Sequence, residues 1–119
     1  MATTPSLDQR QHRIAHNQSI FREVNERLEE LAQTFQNTAE EQSFVCECAH
    51  TDCTERISID LSGYERVRAN PRHFAVAPAG GHVFPEAERV IGRTDGYWIV
   101  EKIERAGEET TRLDPRHDN

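Results

Sequence analysis

The segment Phe44-Val-Cys-Glu-Cys-Ala-His-Thr-Asp-Cys-Thr-Glu-Arg-Ile57 decides how this chain is read. Its cysteines, Cys46, Cys48 and Cys53, form a C-x-C-x4-C run between two apolar, strand-prone stretches. Phe44 to Cys48 reads as a short strand. Arg56 to Leu61 alternates Ile57, Ile59 and Leu61 with Arg56, Ser58 and Asp60, the period of a half-buried strand. The cysteines then occupy the turn between two strands. In an extended chain residues i and i+2 point to the same side, so Cys46 and Cys48 present two thiolates together, and the four-residue excursion lets Cys53 return to them. Three soft ligands so placed suit tetrahedral zinc at ~2.3 Å per sulfur, and a closed structural site needs one more. His50 and Asp52 lie inside the loop and would have to close a very short ring. His73 precedes an apolar stretch, and His82 follows Ala79-Gly80-Gly81, which is flexible enough to deliver an imidazole to a distant site. His82 is the favoured fourth ligand. A closed site of three thiolates and a histidine around a divalent ion carries a net charge of −1 and leaves no position for water, which fits a structural role better than Lewis-acid catalysis. The competing reading is three adjacent free thiols.

Toward the N-terminus, residues 1–6 read as a flexible start. Ser6 with Gln9 three residues on has the form of a capping box, so a long amphipathic helix is expected over 7–35. Ile14, Phe21, Val24, Leu28, Leu31 and Phe35 follow steps of three and four, with Asn17 in the one polar slot, which is heptad spacing. Such a helix is roughly 42 Å long at ~1.5 Å per residue, more than the rest of a small domain readily covers. Phe21, Val24, Leu28 and Leu31 are therefore candidate contacts for a protein partner or a second copy, although the flanking positions lack the opposed charges that fix coiled-coil pairing. Toward the C-terminus, Ser62-Gly-Tyr-Glu65 predicts a second capping box opening a helix that ends by Asn70, before Pro71. Phe74 to Ala77 predicts a third strand. Arg89 to Arg93 and Tyr97 to Ile103 flank Thr94-Asp95-Gly96, a hairpin signal resting on the tolerance of glycine for positive φ. Residues 105–119 carry little apolar content and are expected to be a disordered tail. The expected fold is α+β: a long N-terminal helix, then over 44–104 a small, mainly antiparallel sheet with a short helix, stapled by zinc.

The same cysteine segment, followed by Tyr64-Glu-Arg-Val-Arg68, Phe74-Ala-Val-Ala-Pro78, His82, Glu88-Arg-Val90 and Val100-Glu-Lys102, resembles a group of small uncharacterised actinobacterial proteins over residues 44–104. The resemblance implies a helix before the cysteines and a ligand set of Cys46, Cys48, Cys53 and the histidine after the V-A-P segment, His82. The connection Ala79-Gly80-Gly81 is longer than the resemblance implies.

With 119 residues the chain has room for one domain with a modest core. Its 14 basic and 21 acidic residues give a net charge of −7, which opposes a general affinity for nucleic-acid backbone or anionic membrane. No apolar run approaches the ~20 residues of a membrane span, and Met1-Ala-Thr-Thr-Pro5 lacks a secretory pattern, so a cytoplasmic location is expected. Clustered thiols also fit a reducing compartment. His12 and His16, at i and i+4, lack the H-E-x-x-H glutamate and read as solvated. Arg66, Arg68, Arg72 and His73 read as a solvated face before an anion grip, and Trp98 as a core aromatic. No phosphate loop, nucleophile elbow or Ser-His-Asp set is present. The first functional reading is a non-enzymatic zinc-stabilised regulatory or interaction module. Behind it stand a redox- or zinc-responsive switch using the same cysteines, and a catalytic zinc site with Glu47 or Glu55 as acid or base.

Overall fold

The computed structural model describes residues 6–34 and 41–116 and has an α+β architecture. A long helix, α1 (Leu7–Thr34), is followed by an antiparallel pair, β1 (Glu41–Val45) and β2 (Arg56–Asp60). Then come α2 (Leu61–Arg68), β3 (His73–Val76), a single 3-10 turn at Gly80–His82, β4 (Glu88–Arg93), β5 (Trp98–Lys102) and α3 (Glu104–Leu113). The second sheet is antiparallel in the order β3-β5-β4, with a bulge between Val90 and Gly92. Phe44, Ile57, Ile59, Tyr64, Val67, Phe74, Val76 and Val100 form the main core between the two sheets and α2. A smaller cluster of Ile14, Ala15, Ala49, Ala87 and Ala106 joins the start of α1 to α3. No helix among the described residues is long and apolar enough to cross a membrane.

Local chemistry sets the element ends. The capping box at Ser6 forms in both directions: Gln9 N–H donates to Ser6 Oγ at 3.1 Å and Ser6 N–H to Gln9 Oε1 at 2.9 Å. The second helix begins two residues earlier than Ser62 predicts, because Asp60 is its N-cap and accepts from Gly63 N–H at 2.6 Å. Gly96 turns the last hairpin for a different reason from the expected one. None of the described glycines has positive φ, and a Cβ at Gly96 would lie 2.5 Å from the Ser58 carbonyl oxygen.

Two expectations are overturned. Within the expected disordered tail 105–119, residues up to Leu113 belong to α3, which buries Ala106, Gly107, Glu109 and Thr110. The helix is held by small residues against α1 and by Asp114, which pairs with the buried guanidinium of Arg68, so low hydrophobicity did not mean absence of packing. Residues 117–119 lie outside the described residues, as do residues 1–5 of the start expected over 1–6 and Phe35 of the predicted stripe. The second correction concerns the face that α1 buries. Its inward stripe is Gln11, Ala15, Gln18, Arg22, Asn25 and Glu29, spaced by alternating fours and threes, with Ile14 of the apolar stripe buried beside it and the rest of that stripe to one side. Phe21 and Leu28 are half-buried, whereas Val24 and Leu31 are 41% and 56% exposed.

The polar stripe is buried because it covers strand edges. Asn25 donates to the Val45 carbonyl and accepts from its N–H, both at 2.8 Å, and so replaces a missing strand neighbour. Gln18 donates to the Glu47 carbonyl at 2.9 Å, and Gln11 to that of Glu86 at 2.8 Å. Arg22, fully buried, donates to the carbonyls of Pro71 and His73 with its guanidinium 3.5 Å from the Phe74 ring centroid. Buried backbone groups need such partners. Lys102, the only lysine in the chain, is also enclosed, paired with Glu88 opposite it on β4.

Candidate metal centre

The β1–β2 ladder continues one step into the cysteine segment through Cys46 N–H to Glu55 O at 3.0 Å, and the chain then leaves it to run along the free edge of β3. Glu47 N–H donates to the Ala75 carbonyl at 2.9 Å, and Ala75 N–H donates back to Glu47 Oε1 at 3.0 Å. Since neighbours in extended chain face opposite ways, Cys46 and Cys48 point together to one side and Glu47 into the core. There its second oxygen accepts from Tyr64 Oη at 2.7 Å and Asn25 Nδ2 at 2.9 Å. Cys53 returns through a turn closed by its own N–H on the His50 carbonyl at 3.0 Å. From the far side, the 3-10 turn carries His82 over the cluster, and His50 Nε2 meets the Gly81 carbonyl at 3.0 Å.

Cys46, Cys48, Cys53 and His82 place one ligand atom each within 4.8 Å of all the others. His82 Nδ1 lies 3.6 Å from Cys46 Sγ and 3.7 Å from Cys53 Sγ. Tetrahedral zinc with ordinary Zn–S and Zn–N bonds sets such ligand atoms about 3.6 Å apart. The three thiols share their protons unevenly: Cys46 above all draws the Cys48 thiol below the ordinary range, whereas the same shared proton and burial push Cys46 up, and burial pushes Cys53 up. Metal binding would require all three to ionise. Cys46 Sγ further accepts from Ala77 N–H at 3.1 Å. Among the described residues this is the only such group of metal-binding side chains.

The other candidates are placed elsewhere. His73 Nε2 meets Glu101 at 3.0 Å and His50 meets backbone, so neither closes the site. His12 pairs with Glu109 at 3.3 Å. Arg68 is buried in ion pairs with Glu26 and Asp114 and is not part of an anion grip. Trp98 is half-buried at the edge of the main core, with Arg93 over its ring. Glu47, considered above as an acid or base at zinc, faces away from the thiols with both carboxylate oxygens occupied. Its organising role was the main omission of the sequence reading, although the C-x-C alternation that unites the thiols also turns Glu47 inward. No family model matches the chain, and no match is found among curated proteins or among solved structures.

Proposed function

We propose that the chain is a non-enzymatic module in which Cys46, Cys48, Cys53 and His82 hold one structural zinc ion, and that α1 offers a contact ridge to a regulatory protein partner. The observation that carries the metal assignment is the closure of four ligand atoms within 4.8 Å, contributed by three separate chain segments. The ligand set matches the one implied by the resemblance to the small actinobacterial proteins. Three free cysteines also suit a reducing, cytoplasmic setting, where the thiols persist. A four-ligand site leaves no open position for catalysis. The contact reading rests on Ile20, Val24 and Leu31, which are 49%, 41% and 56% exposed beside half-buried Phe21 and Leu28. Stable interfaces take about 20–30 residues a side, so this ridge fits a transient contact in which the partner supplies surface of its own.

Native mass spectrometry of protein purified without added metal tests the assignment. The expected result is one zinc per chain, absent from Cys48→Ser and weakened in His82→Ala. Folded, reduced protein free of metal would overturn it. The ridge is tested by sedimentation velocity over a concentration series. Self-association lost in Leu31→Glu would identify a second copy as the partner, and a monomer throughout would leave the ridge to a different protein.

A further inference from the structure

The four ligand side chains divide into a fixed pair and an accessible pair. Cys46 and Cys48 are 1% and 0% exposed, and the backbone between them is fastened to β3 through Glu47. Cys53 and His82 are half-buried. His82 rides on a turn whose Gly80 and Gly81 have open space beside them, since a Cβ added to either would meet nothing within 4 Å. Cys53 is the one sulfur of the three that solvent reaches, and the residues around it, Thr51, Asp52, Thr54 and Glu55, are exposed. Two carboxylates beside that sulfur repel anionic oxidants and leave small neutral ones a free approach.

Resting on the metal reading above, we infer that the site is a peroxide-gated switch: a small neutral hydroperoxide oxidises Cys53, and the disulfide it forms with Cys46 or Cys48 releases the metal. The Cys53 thiolate attacks the distal peroxide oxygen. An S–O bond forms as the O–O bond breaks, and the departing alkoxide or hydroxide takes a proton from solvent. The buried thiolate then attacks the Cys53 sulfenyl sulfur. An S–S bond forms, the S–O bond breaks, and hydroxide leaves to become water with a second proton. Two thiolates supply two electrons and the hydroperoxide accepts them, giving one alcohol or water and one further water. The metal would keep only one thiolate and His82, and it departs as the divalent ion. A dithiol reductant reverses the disulfide, and added metal restores the site.

The experiment uses the full zinc-loaded chain exposed to hydrogen peroxide, with released zinc followed by a chromogenic chelator, intact mass recorded, and the first sulfenyl adduct trapped and mapped. The expected result is zinc release in step with a mass loss of about 2 Da for one disulfide, the first adduct on Cys53, and recovery with dithiothreitol and zinc. Zinc retained with all thiols intact, a first adduct on Cys46 or Cys48, or release accompanied only by sulfinate would each overturn the inference. Glutathione disulfide, which is anionic, is expected to release zinc more slowly at equal concentration, and faster release would overturn the neutral-oxidant assignment. Should Cys53→Ser still load zinc, its release is expected to slow at least about tenfold. If that variant does not load, the adduct map of the unmodified chain decides. A chain that contains no zinc before peroxide is added fails the metal reading, whereas zinc-loaded protein indifferent to peroxide fails this inference alone.

Discussion

Glu47 and Glu29 show how single buried carboxylates serve opposite ends in this molecule. Glu47 has both oxygens satisfied, by Ala75 N–H, Tyr64 Oη and Asn25 Nδ2, and so fastens the cysteine segment to the sheet and to α1 at once. In Glu47→Gln an amide NH₂ faces donors at Tyr64 and Asn25, and a destabilisation of about 2–3 kcal/mol is expected in urea unfolding. A loss below about 0.5 kcal/mol would remove Glu47 from this role. Glu29 is buried on α1 near the end of the described chain, where it accepts from Arg116 Nη2 at 2.6 Å. Burial pushes its carboxyl up to about 7 from the ordinary 4.5, with Glu65 adding to the effect and Arg116 opposing it. A carboxyl raised on folding binds more protons in the folded state. Its contribution to stability is complete below 4.5 and is lost as pH climbs through about 7. Glu29→Gln is therefore expected to exceed the parent at pH 8 by about 1–2 kcal/mol and to differ little at pH 4. Unfolding curves at the two pH values check this, and a variant weaker than the parent at pH 8 would contradict it.

Among the elements, α2 is tightly constrained at its start. A Cβ at Gly63 would lie 2.8 Å from Asp60 Oδ1 and 2.9 Å from Ile59 Cγ1. Gly63→Ala is therefore expected to cost about 1–3 kcal/mol despite the better helix propensity of alanine, and a rise in melting temperature would show that the cap can give way. The element scale also separates what was legible in the sequence from what was not. The period-two pattern over 56–61, the hairpin around Thr94-Asp95-Gly96 and the Ser6–Gln9 box depend on neighbours within a few residues, and the structure contains each. The C-x-C-x4-C run was legible for the same reason, and His82 followed from the flexible link before it. The inward face of α1 was not legible. A periodicity reading assumes that a helix buries its apolar stripe, but the surface beneath this helix is made of strand edges whose carbonyls and N–H groups require Gln18, Arg22 and Asn25. The order in α3 was hidden likewise, because it depends on Asp114 finding Arg68, 46 residues away in sequence.

At the scale of the whole molecule, three distant segments meet at the candidate metal centre: the end of β1, the loop before β2 and the 3-10 turn. A metal there would tie the first sheet to the second, adding to the core of a chain in which only 35% of residues are hydrophobic. Binding free energy that exists only in the folded state is folding free energy. With the proposed zinc in place, its removal by a chelator in the presence of reductant is expected to lower the melting temperature by at least about 10 °C. An unchanged melting temperature, with zinc loss verified by mass, would show that the two sheets hold together without it. The enclosure of Lys102 has a practical consequence of its own. Acylating reagents find no side-chain amine on the folded surface, since the chain's only lysine is 1% exposed and stands against Glu88 and the face of Phe74. Acylation at Lys102 would then mark only molecules whose β4–β5 core had opened. A brief pulse of reagent would count them through modification of that one lysine, read in the peptide that contains it, without any introduced probe.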